Sequence, residues 1–147
     1  MAQRQLPEEF REFIESLNSN EVRYLLIGGW AVGLHGFPRS TKDIDFLISI
    51  DSENLTRMVK ALSDFGGPTA EAHQLSTAGS VFRMGVPPLQ IDIINEAAGL
   101  EFEQCYARRN IVRVGDLEIT VISRDDLIRN KKATGRTLDL ADAEKLE

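Results

Sequence analysis

Two aspartates separated by one residue, Asp43-Ile44-Asp45, stand at the start of an apolar run that continues to Ile50. The run is short and rich in β-branched residues, which predicts a strand over Ile44 to Ile50. Side chains two positions apart in a strand point to the same face, so the two carboxylates are expected side by side. Two like charges at one spot are unfavourable unless a cation lies next to them. The alternative for an Asp-x-Asp pair is a solvated strand edge.

A third carboxylate, Asp92, interrupts a second apolar run, Leu89 to Ile94. Period-two alternation places Asp92 with Gln90 and Ile94 on one face of the predicted strand. A buried aspartate without a partner is costly, so two explanations stand side by side. Asp92 pairs with an arginine of the preceding strand, such as Arg83, or it joins Asp43 and Asp45 around metal. Three carboxylates can hold two divalent cations about 3.5–4 Å apart, with magnesium as the natural choice for oxygen ligands.

The order of polar and apolar residues around the pair separates two classes of Asp-x-Asp enzyme. In haloacid-dehalogenase-type phosphatases, the pair follows an N-terminal apolar strand. Here the polar residues 39–42 precede the pair and the apolar residues 46–48 follow it. This order disfavours the phosphatase interpretation.

Helical and strand-like patterns alternate along the chain, with hairpins in the second half. Helices are predicted over 7–17, 30–35, 51–65, 101–109 and the tail after Ser123, and the predicted strands are 22–27, 44–50, 80–86, 89–94, 111–114 and 117–122. Residues 69–79 are poorly patterned and are predicted to be loop. The pattern indicates an α/β or α+β fold around a mixed sheet, as a single domain over 1–147 with a helical tail at about 123–147.

Composition limits the class of protein. The 147 residues are 42% hydrophobic and 27% charged, which is typical of one soluble globular domain. The net charge of −6 argues against non-specific binding to nucleic acid or to an anionic membrane. A single cysteine, Cys105, excludes an internal disulfide and a cysteine-based zinc site, and it fits a reducing compartment. The first residues lack the apolar core of a signal peptide, so we expect a cytoplasmic protein without a membrane segment.

Gly28 and Gly29 lie between a predicted strand and a predicted short helix, upstream of the aspartates. Two glycines allow the backbone to approach a ligand closely, and a helix N-terminus offers free N–H groups to phosphate. The glycines at 28, 29, 33 and 36 do not form the Gly-x-Gly-x-x-Gly fingerprint of dinucleotide-binding folds. The alternative is a tight turn with no ligand.

Taken together, these residues resemble the nucleotidyltransferase superfamily, whose catalytic core is similar to that of DNA polymerase beta. The family pattern is an apolar residue with two small residues, a spacer, Asp-x-Asp and a later strand with a third carboxylate. This sequence reads Ile27-Gly28-Gly29, thirteen residues, Asp43-Ile44-Asp45 and then Asp92. Gly-Gly-Trp at 28–30 is similar to small nucleotidyltransferases that act on aminoglycoside or lincosamide antibiotics. The tail, 126–142, is similar to abortive-infection-type nucleotidyltransferases of bacteria and archaea.

The resemblance implies a short mixed sheet flanked by helices, and it implies a mechanism. Asp43 and Asp45 would hold Mg²⁺, or Mn²⁺ in its place, together with a nucleoside triphosphate, for which ATP is expected. Asp92 would bind a second metal and help to deprotonate an acceptor hydroxyl. Gly28 and Gly29 would meet the β- and γ-phosphates. The nucleoside monophosphate would pass to the acceptor with loss of pyrophosphate.

Three basic residues are candidates for contact with the triphosphate. Arg39 and Lys42 flank the aspartates and could neutralise phosphate charge. The alternative is that both are solvated loop residues. In a helical tail, Lys131 lies beside the inward positions Leu127 and Ile128, so we prefer it to Lys132; the alternative is a charged helix face in water. Trp30, His35 and Cys105 are interpreted as structural residues.

Two classes of function remain. The first is an active metal-dependent nucleotidyltransferase, and the second is an antitoxin-like or regulatory binding protein that keeps the fold. Three neighbouring negative charges favour the enzyme. The acceptor is unknown, and an antibiotic or a protein hydroxyl is preferred to nucleic acid. Because so short a chain leaves its cleft half open, we expect a homodimer or a partner protein to complete the acceptor site.

Overall fold

The computed structural model describes residues 6–37, 41–70, 72–85 and 89–147. Six α-helices, six strands and one 3-10 helix form within these ranges. The helices are α1 (Glu8–Ser19), α2 (Gly28–Leu34), α3 (Ser52–Phe65), α4 (Phe102–Ala107), α5 (Arg124–Thr134) and α6 (Thr137–Leu146), and the 3-10 helix is Ala72–Ser76. The strands are β1 (Tyr24–Ile27), β2 (Asp43–Ile48), β3 (Val81–Met84), β4 (Gln90–Ile94), β5 (Asn110–Val114) and β6 (Leu117–Val121).

All six strands form one sheet in the order β3-β4-β2-β1-β6-β5. The pairs β2–β4 and β1–β6 are parallel, and the other three pairs are antiparallel. The predicted mixed sheet flanked by helices is therefore confirmed. β2 and β4 lie inside the sheet with neighbours on both sides, which places both aspartate-bearing strands at its centre.

One face of the sheet carries much of the hydrophobic core and packs against α1 and α3. Phe13 of α1 makes edge contacts with Phe46 of β2 at 5.3 Å between ring centroids and with Phe65 of α3 at 5.1 Å. Tyr24 packs against Phe46 from the neighbouring strand. Because Phe46 and Ile44 point into this core, alternation turns Asp43 and Asp45 to the opposite face.

Residues read as caps in the sequence mark the helix boundaries. Asp51 caps α3, accepting a hydrogen bond from the backbone N–H of Asn54 at 2.8 Å, and Gly66 ends the helix with φ of 87°. Ser123 caps α5 in the same way, accepting from the N–H of Asp126. Gly135, with φ of 71°, separates α5 from α6. The predicted limits of these helices are confirmed.

The structure corrects the prediction at four points. The short helix predicted over 30–35 begins at Gly28, so both glycines belong to α2 rather than to a turn before it. Residues 69–79 are not simply loop, because Ala72–Ser76 forms a 3-10 helix that buries Ala72 and Leu75. β2 begins at Asp43 rather than Ile44, since Asp43 already pairs with Gln90 of β4. Pro7 is the N-cap of α1 rather than a residue of its first turn. The predicted proline connection at 86–88 lies outside the described residues.

Within the described ranges, helices fall short of the length and apolar character that crossing a bilayer would require.

Candidate active site

Three aspartates from two parallel central strands share one face of the sheet. Asp45 of β2 is the direct neighbour of Asp92 of β4, and Asp43 is the neighbour of Gln90. Paired residues of adjacent strands point to the same side, so Asp43, Asp45 and Asp92 lie together. Asp43 is exposed, Asp45 is partly buried and Asp92 is buried. The predicted grouping of the carboxylates is thus what the strand register produces.

Asp45 has the most strongly perturbed environment of the three. Burial, the charges of Asp92 and Asp43, and a hydrogen bond with the Asp92 side chain raise the pKa of Asp45 to about 6. Lys131 acts in the opposite direction, but its effect is smaller. The carboxylate of Asp45 is therefore held in a place where its negative charge is disfavoured until a cation arrives.

Asp92 has a cationic partner within the protein. Nε of Arg83 donates to Oδ1 of Asp92 at 2.9 Å, and Nη2 donates to Oδ2 at 3.4 Å. The two residues are direct neighbours in the antiparallel pair β3–β4. The Asp92 side chain is 10% exposed and the Arg83 side chain 63%. The arginine partner proposed from the sequence is present, and the same carboxylate also borders Asp45.

Gly28 is in contact with the carboxylates. Its φ of +73° lies in the left-handed region, and a Cβ atom built there would stand 2.3 Å from Oδ2 of Asp45. Glycine is therefore required twice, by the backbone conformation and by the close approach of the Asp45 side chain. Gly29, the next residue, is buried. The start of α2, which follows β1 directly, is thereby fitted to Asp45 of the neighbouring strand β2.

A cleft of about 500 Å³ opens beside the carboxylates. Its walls come from the glycine turn, the start of β2, the segment after β4, and helices α5 and α6. They are formed by Ile27, Gly28, Gly29, Thr41, Asp43, Asp45, Ile94, Glu96, Ala97, Ala98, Asn130, Lys131, Thr134, Arg136, Leu138 and Asp139. The volume is in the range of small-molecule sites.

Lys131 lines this cleft but is held by acidic residues of α6. Its Nζ lies 3.3 Å from Oδ1 of Asp139 and 3.2 Å from Oδ2 of Asp142, and all three side chains are nearly inaccessible. Asp139 also accepts hydrogen bonds from Thr134 at 2.8 Å and from Arg136 at 2.7 Å. The predicted position of Lys131 beside the buried face is confirmed. Lys132, by contrast, pairs with Glu147 at the surface.

The other predicted basic residues are not brought to the carboxylates. Lys42 is exposed and is not part of the cleft wall, although its neighbours Thr41 and Asp43 are. Arg39 lies outside the described residues. Arg136, a basic residue that the tail offers besides Lys131 and Lys132, was not selected from the sequence, yet it lines the cleft with a side chain that is 79% exposed. Its place directly after Gly135, where the tail turns back, was the available signal.

The residues interpreted as structural are structural. Trp30 is 5% exposed and packs edge-on against Phe10. Nε2 of His35 hydrogen-bonds with the carbonyl oxygen of Ile122 at 2.8 Å. Cys105 is buried, and burial raises the pKa of its thiol, which disfavours the reactive thiolate.

The carboxylates fit a magnesium ion that is held partly by substrate phosphates better than one that is held by protein ligands alone. Among the described residues, no group of three or more His, Cys, Asp or Glu side chains is arranged to hold a metal ion. Asp43 and Asp45 supply two carboxylates on one face, and Mg²⁺ at nucleotide sites is commonly held by one or two carboxylates plus substrate phosphates. Because Gly28 has no Cβ, the Asp45 carboxylate packs directly against its backbone at the edge of the cleft.

A second depression, of about 630 Å³, lies at the far end of the sheet, between α1 and β6. It is rich in carboxylates, but several are already paired. Arg11 pairs with Glu15 and Asp116, and Arg113 pairs with Glu118. We therefore assign the chemistry to the aspartate cleft.

The family model for nucleotidyltransferases of unknown function (DUF6036) matches residues 4–146. The chain belongs to this nucleotidyltransferase family. The resemblance drawn from the glycines and the three aspartates is therefore confirmed. The sequence of this nucleotidyltransferase matches no curated protein.

Solved structures with the same fold are distant in sequence. The Thermotoga maritima protein TM1012, assigned to the nucleotidyltransferases, is 16% identical with a TM-score of 0.58, over 92% of this chain and 84% of that one. The lincosamide antibiotic adenylyltransferase LnuA, solved with lincomycin bound, is 15% identical with a TM-score of 0.58, over 97% and 98%. The antibiotic-resistance factor ANT(2'')-Ia is 12% identical with a TM-score of 0.61, over 94% and 80%. At these identities the likeness establishes the nucleotidyltransferase fold.

Proposed function

We propose that this nucleotidyltransferase is an active, magnesium-dependent enzyme that moves AMP from ATP to an acceptor hydroxyl and releases pyrophosphate. The observation that carries the proposal is the strand register that sets Asp45 beside Asp92 and against Gly28 at the wall of an open cleft. A protein that only kept the fold, without a ligand, would gain nothing from the Asp45 carboxylate, whose negative charge is disfavoured.

Asp43 and Asp45 are the residues proposed to hold Mg²⁺, with Mn²⁺ as a substitute, and the phosphate oxygens would complete its coordination. When bound, the cation supplies charge neutralisation to the triphosphate and to the leaving pyrophosphate. The backbone at Gly28 and Gly29 borders the same space, so we place the β- and γ-phosphates there. Lys131 is proposed as a phosphate contact from the cleft wall, where Asp139 and Asp142 hold its ammonium group in place. Arg39 and Lys42 are proposed as outer contacts to the phosphates.

Asp92 is proposed to receive the proton of the acceptor hydroxyl. The hydroxyl oxygen attacks the α-phosphorus as its proton passes to the Asp92 carboxylate, and the bond to the bridging oxygen of the β-phosphate breaks. The electron pair of that bond leaves with pyrophosphate. Positioning the two reactants and stabilising charge at the phosphates would supply most of the rate.

The acceptor is proposed to be a small hydroxyl compound or a protein side chain rather than nucleic acid. LnuA and ANT(2'')-Ia have the same fold and are an antibiotic adenylyltransferase and an antibiotic-resistance factor. The acidic balance of this chain, −6, gives no help in binding nucleic acid.

One observation favours the alternative of a non-catalytic, antitoxin-like or regulatory protein. Arg83 neutralises the charge of Asp92, so this third carboxylate has a cationic partner inside the protein and needs no metal ion to be stable in the fold. Binding of magnesium and triphosphate would distinguish both the enzyme and the regulatory protein from a protein that binds neither ligand. Transfer of the nucleotide would distinguish the enzyme from the regulatory protein.

The decisive experiment is ligand-dependent thermal unfolding followed by transfer of labelled nucleotide. Mg²⁺ with ATP at about 100 times its dissociation constant should stabilise the wild type by about 2.7 kcal/mol, and a chelator should remove the gain. Asp45→Asn should lose most of that stabilisation, because one of the two proposed metal ligands is gone. Asp116→Asn, a change at a side chain that is 94% exposed in another part of the molecule, should keep it.

Stabilisation of equal size in wild type and Asp45→Asn would contradict the metal-bridged site. ATP labelled at the α-phosphate should then transfer label to an acceptor from a panel of hydroxyl compounds and proteins, with release of unlabelled pyrophosphate. Binding without any transfer would favour the regulatory alternative.

A further inference from the structure

The charge beside Asp92 is supplied by the protein itself. We propose that the site binds a single divalent cation with the nucleotide, and that the guanidinium of Arg83 takes the place that a second cation would have beside Asp92. The inference rests on the proposed function, and it departs from the two-cation arrangement implied by the family resemblance.

The geometry engages both oxygens of Asp92. Nε of Arg83 reaches Oδ1 at 2.9 Å and Nη2 reaches Oδ2 at 3.4 Å, so the planar guanidinium faces the whole carboxylate. The register of β3 and β4 makes the two residues direct cross-strand neighbours. The pair is thus fixed by the backbone and not by a chance side-chain rotamer on a loop.

Little of Asp92 remains for a metal ion. Its side chain is 10% exposed, with Arg83 on one side and Asp45 on the other. A hydrated cation would have to displace the guanidinium to reach the carboxylate oxygens. The absence of a metal-competent group of three acidic, His or Cys side chains among the described residues agrees with this arrangement.

Arg83 also lowers the negative charge that the protein itself presents to cations. The carboxylates of Asp43, Asp45 and Asp92 carry three negative charges when ionised, and Arg83 offsets the one on Asp92 with which it pairs. Arginine is suited to this position because it stays protonated at any physiological pH and its planar group can meet both carboxylate oxygens.

Arg83 is accordingly a positioning residue for the proposed reaction. Arg83 holds Asp92 in one orientation beside Asp45, and the proposed function assigns the proton of the acceptor hydroxyl to this carboxylate. A second cation at Asp92 would have to displace Arg83, so the two arrangements predict different numbers of bound ions.

The number of bound Mn²⁺ ions tests the proposal without catalytic turnover. Electron paramagnetic resonance would count bound Mn²⁺ per chain in the presence of α,β-methylene-ATP, an analogue that cannot transfer its nucleotide. The wild type should bind about one ion, as expected for two carboxylates with phosphate oxygens. Arg83→Met, which keeps an unbranched apolar stem and removes the charged head, should bind about two, and Arg83→Met with Asp92→Asn should return to about one.

The chain offers a matched control. Arg113 also lies on an edge strand and pairs across the strands with an acidic residue, Glu118, and its side chain is 65% exposed against 63% for Arg83. Arg113→Met should leave the count at about one ion. Arg83→Lys keeps a positive charge and should also leave it at about one, which provides a reading if Arg83→Met does not fold.

Two bound Mn²⁺ ions in the wild type, falling to one in Asp92→Asn, would overturn the proposal. A count of one in folded Arg83→Met would also overturn it, because the guanidinium would not be what excludes the second ion. A count of two in folded Arg83→Lys would overturn it as well. No bound Mn²⁺ with the analogue in any variant would instead reject the proposed function, so the two failures are distinguishable.

Discussion

Asp45 is the residue at which stability and proposed activity oppose each other. Its carboxylate is partly buried, borders two other carboxylates, and is approached by Gly28, which has no side chain to shield it. The folded chain without a cation therefore holds Asp45 more favourably in its neutral form, and its pKa rises to about 6. Such strain at a site is what a ligand can relieve on binding.

The first prediction is a pH-dependent loss of stability that depends on Asp45. Its folded-state pKa of about 6 exceeds the unfolded value of 3.8, so the folded chain binds this proton more tightly. The stabilisation is complete below the unfolded pKa and is lost as pH rises through the folded one. In chelator, the wild type should lose about 2 kcal/mol of unfolding free energy relative to Asp45→Asn between about pH 4 and pH 8.

Urea unfolding of both proteins at each pH measures this difference and cancels the titration of other groups. The variant should be the more stable of the two at high pH, although it loses magnesium-dependent stabilisation by ATP. Parallel pH profiles for the two proteins would show that Asp45 ionises normally in the folded chain.

The face that the aspartates share was predictable, but the sequence left two explanations of Asp92 open, a pair with Arg83 or a place beside Asp43 and Asp45. Alternation along a strand set Asp43 and Asp45 on one face, and it set Asp92 apart from its apolar neighbours. Whether Asp92 contacts Arg83 depends on the register of β3 against β4. That register is set across a connection whose conformation the pattern does not specify. Side-chain periodicity therefore identifies the face, and tertiary pairing identifies the contact.

At the scale of elements, α5 and α6 form a unit that is held together by the buried ammonium group of Lys131. Lys131 of α5 is held by Asp139 and Asp142 of α6, and Arg124 of α5 donates to the carbonyl oxygens of Leu146 and Glu147. The turn at Gly135 brings the two helices together. This unit forms one wall of the cleft, so its integrity is expected to determine the shape of the site.

The second prediction compares two adjacent lysines. Lys131→Met should lower the free energy of unfolding by about 3 kcal/mol, because it removes the buried cation that pairs with both Asp139 and Asp142, although Asp139 keeps Arg136. Lys132→Met should change it by less than about 0.5 kcal/mol, since its pair with Glu147 is exposed. Urea unfolding at one pH measures both. Equal and small effects would mean that the buried pair does not hold α6 in place.

Helix limits were predictable wherever a residue has a distinct local role. Two residues cap helices with their own side chains, Asp51 and Ser123, and two end helices through a positive φ, Gly66 and Gly135. None of these effects needs a distant contact. The 3-10 helix Ala72–Ser76 has no such marker. It is held by tertiary burial of two side chains, which a local pattern does not reveal. The pairing of Lys131 with α6 was missed for the same reason.

At the scale of the whole molecule, strand order creates the site. β2 and β4 are separated in sequence by α3, the 3-10 helix and β3, yet they lie side by side in parallel. Hydrophobic patterns predicted the strands but not their order in the sheet, because order depends on crossover connections. The resemblance to nucleotidyltransferases implied a short mixed sheet with a third carboxylate on a later strand, and the sheet agrees with it.

The final prediction concerns assembly. The cleft lies open beside α6, where Leu138 lines it with 58% exposure, so an apolar side chain stands at the edge of the proposed site. A second copy or a partner that covers this edge would exclude water and complete the acceptor site. Light scattering after size-exclusion chromatography should give twice the mass of one chain for the wild type. In Leu138→Asp, the measured mass should fall towards that of a single chain.

Leu140 provides the control for this prediction. It lies two residues further along α6, is 48% exposed, and is not part of the cleft wall. On a helix, residues two apart face different directions, so Leu140→Asp should leave the dimer intact if the contact lies at the cleft. Loss of the dimer in both variants would place the contact elsewhere on α6. A monomer that transfers nucleotide at full rate would show that the cleft of one chain suffices, and the acceptor would then have to be small enough to bind within it.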